Sequence, residues 1–191
     1  MNDERRRFYR IDDEISLVTE VITETEIDRR INDFWDNEHA FSIRNNYNFQ
    51  IEQHNADFRQ IDKKMPELAR YLSVLEKQID QITQRLTISD AELAWTSRSA
   101  SISAQGIAYH CDTAPGPGSL LELNLKLLPS GFMLVILVRV VQLETGLVHS
   151  DGNNKISLDF EHIHEADREI LIKHIHARQI SSLGNAPTGE S

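Results

Sequence analysis

Apolar residues follow three different periods along this chain. Between Ile15 and Thr23 the segment ISLVTEVIT is dense in β-branched residues, whose stiff side chains suit a pleated surface, and it predicts a strand. From Glu26 to Phe41, Ile27, Ile31, Phe34, Trp35 and Phe41 recur at helical spacing among acids and arginines, which predicts an amphipathic helix. The Asn-rich run Arg44, Asn45, Asn46, Tyr47, Asn48 interrupts that stripe and predicts a helix boundary or a kink. Beyond it the spacing becomes strict. Ile51, Phe58, Met65, Leu72, Ile79 and Leu86 occupy one heptad position and Ile61, Leu68, Leu75 and Ile82 its partner, with His54 the only polar residue in either series.

A seam this narrow is buried best by another helix wound around it, so the heptads predict self-association; the alternative is a long helix packed on its own domain. Ile61 and Ile82, β-branched in the second position, disfavour a parallel dimer and point to a trimer or tetramer. Pro66 removes a backbone donor, so the rod either kinks there or starts near Met65, and the unbroken register favours the kink.

After Asp90 the period changes to two. Ser99 to Tyr109 and Ser119 to Leu127 read as half-buried antiparallel strands separated by the loop Ala114, Pro115, Gly116, Pro117, Gly118. Phe132 to Leu143 reads as a central strand, Lys155 to Phe160 as a short one, and Glu165 to Arg178 as a closing helix with Ile170, Leu171, His174 and Ile175 on one stripe. The fold class is therefore α+β: a small antiparallel β barrel or sandwich with a C-terminal helix, plus inserted long helices. Residues 1–23 form an arm and first strand, 24–90 the helical insertion, 91–180 the remaining strands and closing helix, and 181–191 a tail too polar and turn-rich to pack.

Composition narrows the function. The 191 residues carry 20 Lys and Arg against 30 Asp and Glu, a net charge of −10 that opposes general binding to nucleic acid. The single cysteine, Cys111, closes no intrachain disulfide and suits a reducing cytoplasm. The opening MNDERRRFYR has no signal-peptide run behind it, and the longest apolar run, Phe132 to Val138, stops at Arg139, so no membrane span is expected.

Against this acidic background Arg5, Arg6, Arg7 and Arg10 stand out as an anion site, since guanidinium groups grip phosphate oxygens and stack on purines. The competing reading is a solvated tail neutralised by Asp3, Glu4, Asp12 and Asp13. Some ninety residues later, Ser101-Ile102-Ser103-Ala104-Gln105-Gly106 offers hydroxyls and backbone donors on a strand.

Together, in this order and before this run of strands, the two segments resemble the PilZ domain, a small β barrel that receives the bacterial second messenger cyclic di-GMP. Its R-x-x-x-R motif is matched by Arg6 and Arg10, and its [D/N]-x-S-x-x-G motif by Ser103 and Gly106, with Ser101 standing where the family has Asp or Asn. The likeness extends over residues 5–23 and 91–178, and KISLDFEHIHEADREILIKHI looks like the family's closing strand and helix. A subgroup of the family carries helical insertions and assembles through them.

The resemblance implies that Arg6 and Arg10, with Arg5 and Arg7 as additional contacts, take phosphates and stack on guanine. It also implies that Ser101, Ser103 and Gly106 hold a guanine edge. Ser101 lacks the carboxylate or amide of the motif, which weakens or abolishes that contact.

Other chemistry fares worse. His162 and His164, or His174 and His176, could chelate a metal only in extended chain, so no metal site is expected. There is no nucleophile elbow, no phosphate-binding glycine loop, and Cys111 reads as an ordinary strand residue. The expectation is a cytoplasmic, non-enzymatic cyclic di-GMP receptor without a cofactor, self-assembled through Phe58, Ile61, Met65, Leu68, Leu72, Leu75, Ile79, Ile82 and Leu86, and signalling to an unknown downstream protein. The alternative is a degenerate PilZ-like scaffold that contacts protein without binding nucleotide. An enzyme acting on a nucleotide ranks last, because no general base accompanies the arginines.

Overall fold

The computed structural model describes residues 9–36, 42–86, 94–146, 149 and 151–184. Six strands, β1 (Ile11–Val21), β2 (Thr96–Ser103), β3 (Gly106–Cys111), β4 (Leu120–Leu127), β5 (Met133–Glu144) and β6 (Asn154–His162), close an antiparallel barrel in the order β1-β2-β3-β6-β5-β4. Closure removes the sandwich alternative. Among the described residues the helices are α1 (Ile27–Asp36), α2 (Ser42–Lys64), α3 (Pro66–Leu86) and α4 (Glu165–Gly184), the first three lying in the chain between β1 and β2.

Period-two alternation puts Ile15, Ile102, Leu123, Leu125, Ile136, Val138 and Leu158 inside the barrel, and Leu171 and Ile175 of α4 join the same core. β1 begins four residues before its apolar run because Asp12, Asp13 and Glu14 mask the alternation. Asp12 and Glu14 point outward, whereas Asp13 points inward and is buried. His174 Nε2 lies 2.7 Å from Asp13 Oδ2, and Arg178 donates to Asp13 Oδ1. The competing reading of the arginine segment has Asp13 neutralising a solvated tail, and the helical stripe has His174 in packing; in the fold the pairing of Asp13 with His174 and Arg178 clamps α4 to β1.

Several boundaries differ from expectation. Ser99 to Tyr109 is two strands, with Ser103 facing Gly106 across a hairpin whose tip is Ala104 and Gln105. The Asn-rich run does not end a helix, since α2 runs through it from Ser42 to Lys64; residues 37–41, between α1 and α2, lie outside the described residues. Asn45 is buried there because it works as a strand surrogate: its Nδ2 donates to Met133 O (2.7 Å) and its Oδ1 accepts from Met133 N (3.0 Å), satisfying both groups of the first β5 residue. Tertiary pairing thus overrides the poor helix propensity of asparagine. α4 continues through residues 181–184, which had been assigned to the tail, and Ser181 Oγ donates to Ala177 O within it.

Pro66 does not kink a continuous rod. Met65 N still donates to Ile61 O and Met65 O accepts from Ala69 N, so Met65 ends α2 and caps α3, with Pro66 in the first helical position, where a missing N–H costs little. The Tyr47 hydroxyl donates to Glu76 O at 2.8 Å, which requires α2 and α3 to fold back on one another. On α3 the more covered positions are Ala69, Leu72, Ser73, Glu76 and Asp80, mostly small or polar, whereas Leu68, Tyr71, Val74, Leu75, Ile79 and Ile82 are exposed, as is Met65 at the corner. Phe58 and Ile61 of α2 are half-buried, and the side chain of Leu86 lies outside the described residues.

α1 packs outside the barrel, Ile27, Ile31 and Phe34 against Ile22, Leu120 and Leu137, and Arg30 pairs with Glu20 (2.9 Å) and Glu122 (3.2 Å). No described helix is long and apolar enough to cross a membrane.

Asp13→Ala leaves His174 and Arg178 without their buried counter-charge, and should lower unfolding free energy by about 3 kcal/mol in urea titration. Glu14→Ala, on the outer face of the same strand, should shift it by less than about 0.5 kcal/mol.

Candidate ligand-binding site

Barrel closure sets the outward positions of five strands side by side. The registers run Asp12↔Ser101, Ser101↔Ala108, Ala108↔Ser157 and Gln142↔Ser157, one continuous row across β1, β2, β3, β6 and β5. The small side chains in the middle of the row leave a hollow. A cavity of about 490 Å³ is lined there by Arg10, Asp12, Ser101, Ala108, Val141, Gln142, Glu144, Lys155 and Ser157, a size suited to a small ligand.

The β5 wall depends on a bulge. Val140 faces Leu158 and Gln142 faces Ser157, so Val141 is an extra residue in the strand and stands 48% exposed at the cavity. Gln142 Nε2 donates to Glu144 Oε1 at 2.9 Å, and Glu144 lies opposite Lys155 in the ladder. The wall therefore carries one small apolar surface and several polar groups, with Arg10 and Lys155 as its cations.

Arg10 and Ser101, ninety-one positions apart, thus share one cavity. Ser103 and Gly106 are buried and do not line it. Ser103 Oγ donates to Gly106 O (3.2 Å) and accepts from Gln105 N (3.3 Å), closing the hairpin, whose tip is held by Phe160 N on Gln105 O and by Arg168 on Ala104 O. Gly106 is required by crowding, since a Cβ there would lie 2.4 Å from Leu158 O. Arg5, Arg6 and Arg7 lie outside the described residues.

A family model described as the PilZ domain matches residues 81–177. The chain belongs to the PilZ domain family. The match runs from within α3 into α4 and so leaves β1 and Arg10 outside it; in this PilZ barrel it is the pairing of β1 with β2 and β4 that returns Arg10 to the cavity.

Among solved structures, a tetrameric PilZ domain from Xanthomonas campestris, described as self-assembled via an unusual helical bundle, aligns with a TM-score of 0.58 at 14% identity. The alignment covers 92% of this chain and 91% of that one, so the two share barrel and helices as a fold. The inhibitor of motility from Bacillus subtilis aligns with a TM-score of 0.46 at 12% identity, over 93% of this chain and 52% of that one. No curated protein sequence matches the chain significantly.

The remaining sequence candidates have packing roles. Cys111 faces the core of the PilZ barrel and burial pushes its thiol pKa up, away from reactivity. His164 stacks on Phe34 (centroids 4.4 Å apart) with Nε2 2.9 Å from Phe34 O, and His162 meets Trp35 edge-on, so both dock α1. The described residues hold no cluster of three or more His, Cys, Asp or Glu placed for a metal.

Sequence reasoning missed Ala108, Val141, Gln142, Glu144, Lys155 and Ser157. Ala108, Lys155 and Ser157 are outward positions of recognisable strands and become visible once strand order is known. The bulge that presents Val141 leaves no local signal.

Because the atom nearest an added Cβ is backbone, Gly106→Ala should destabilise by about 1–3 kcal/mol in thermal or urea unfolding. Gly116→Ala, where an added Cβ meets nothing within 4 Å, should be nearly neutral in the same assay.

Proposed function

We propose that this PilZ protein is a cytoplasmic receptor for cyclic di-GMP that works as an oligomeric signalling module. The nucleotide would occupy the cavity shared by Arg10 and Ser101, and copies would be held together through α3. The observation that carries the reading is that common cavity: Arg10, the second arginine of an R-x-x-x-R pair, and the small-residue strand line the same wall in a chain of this family. A doubly anionic ligand with two purines needs fixed positive charge and flat surfaces, and arginine supplies both. Arg5, Arg6 and Arg7, just ahead in the chain, would add phosphate contacts and fold over the ligand. Ser103 and Gly106 serve it indirectly, through the hairpin that holds Ser101. Reception requires no catalytic step, and the rearranged arm would present a changed surface to a downstream protein.

Self-assembly is supported by the distribution of apolar residues on α3. Its small and polar side is the more covered one, whereas Leu68, Leu75, Ile79 and Ile82 form an outward stripe. An apolar stripe of that length costs free energy in water and is covered most simply by the same stripe of other copies. The Xanthomonas protein, described as a tetramer built on a helical bundle, favours four copies over three.

Ser101 favours a second reading, a scaffold that assembles and contacts protein without nucleotide. Isothermal titration separates the two. Heat of binding with cyclic di-GMP, weakened at least about tenfold by Arg6→Ala or Arg10→Ala with oligomer mass unchanged, supports the receptor. No heat at ligand concentrations on the order of tens of micromolar supports the scaffold.

For assembly, Leu75→Lys combined with Ile82→Lys should lower the mass measured by light scattering while circular dichroism stays helical, because both side chains are exposed in the protomer. An unchanged mass rules out α3 as the interface.

A further inference from the structure

Guanine presents two adjacent donors, N1–H and the N2 amine, on its Watson–Crick edge. Its natural partner is a carboxylate, whose two oxygens accept both. Ser101 has one hydroxyl and cannot do this. The cavity nevertheless contains a carboxylate in the adjacent position: the β1–β2 register sets Asp12 directly opposite Ser101, on the same outer face and in the same lining. Side chains so paired start only about 5 Å apart, so a carboxylate on residue 12 reaches much of the space that one on residue 101 would.

The other carboxylates near the site are already committed. Glu144 accepts from Gln142 and lies opposite Lys155, and Asp13 faces the barrel interior, paired with His174 and Arg178. Asp12 is exposed, and its carboxylate makes no hydrogen bond or ion pair with any described residue. Arg10 lies two positions before it, immediately ahead of β1, and lines the same cavity. The start of β1 and the residue just ahead of it therefore bring a cation for phosphate and an acceptor for a base edge to the same wall.

We propose that Asp12 is the guanine-selecting residue of this cavity, taking over from the neighbouring strand the acceptor role that Ser101 cannot fill. The proposal rests on the receptor reading above and extends it to base selectivity. It also gives the departure at Ser101 a consequence other than loss of binding: the acceptor has changed strands. Adenine, with one amine donor beside a ring-nitrogen acceptor, would meet the Asp12 carboxylate with lone pair against lone pair, so cyclic di-AMP should be disfavoured.

The two dinucleotides carry the same phosphate charge, which makes them a matched pair for the test. Removing a negative charge beside phosphates strengthens attraction for both ligands, whereas removing a guanine acceptor weakens only one. Titrating cyclic di-GMP and cyclic di-AMP into the wild-type protein and Asp12→Ala should show the variant losing at least about tenfold in cyclic di-GMP affinity while cyclic di-AMP binding is unchanged or improved. Adding Ser101→Asp to Asp12→Ala should restore most of the lost affinity, which a merely structural defect would not allow.

If the wild type binds cyclic di-GMP, Arg10→Ala weakens it and Asp12→Ala does not, the assignment to Asp12 is wrong and the receptor reading stands. If the wild type binds neither dinucleotide, the receptor reading fails and takes the assignment with it.

Discussion

Pairing of β1 with both β2 and β4 is the constraint on which the rest of this molecule depends. Ile11 to Leu17 ladder with β2, and Ile15 to Val21 with β4, so one strand closes the barrel. Its partner β2 lies some eighty residues further along the chain, and closing a connection of that length is entropically unfavourable. The compensation is dense: inward Ile15 and Leu17, ladder hydrogen bonds on both sides, and the buried Asp13 carboxylate held by His174 and Arg178 of α4. The same strand carries Asp12 on its outer side and follows directly on Arg10, so closing the core also builds the cavity wall.

This economy couples neighbouring residues to opposite tasks. Asp12 faces the cavity and Asp13 faces α4, one residue apart on a strand whose sides alternate. The helices answer to the barrel as well, since Asn45 ties α2 to the start of β5 and Arg30 ties α1 to β1 and β4. The long insertion is thus attached at points beyond its two ends.

α3 shows how a sequence pattern and a protomer can disagree productively. Its heptads are strongly apolar, yet its covered side carries Ala69, Ser73, Glu76 and Asp80 with Leu72 as the one heptad residue among them, beside Tyr47. Within one copy the helix is packed by its less apolar face.

Much of this was legible in the residues alone. Alternation marked β4 and β6, a run apolar on both faces marked β5, helical spacing marked α1 and α4, and the arginine cluster with the SISAQG segment pointed to the PilZ family. These signals are local, because period and composition record which side of a single element is apolar. The helix start near Met65 was one of two outcomes that Pro66 left open, whereas the hairpin at Ala104 and Gln105, the helical Asn45, the inward Asp13 and the bulge at Val141 were not legible. Each is decided by a partner far away in the chain, Met133 for Asn45 and α4 for Asp13, through hydrogen bonds and ladder registers that impose no repeat on the neighbouring sequence. Local periodicity could name the strands and the chemistry, but only closure of the barrel could put Arg10, Asp12 and Ser101 on one wall, because register is a property of two strands and not of either one.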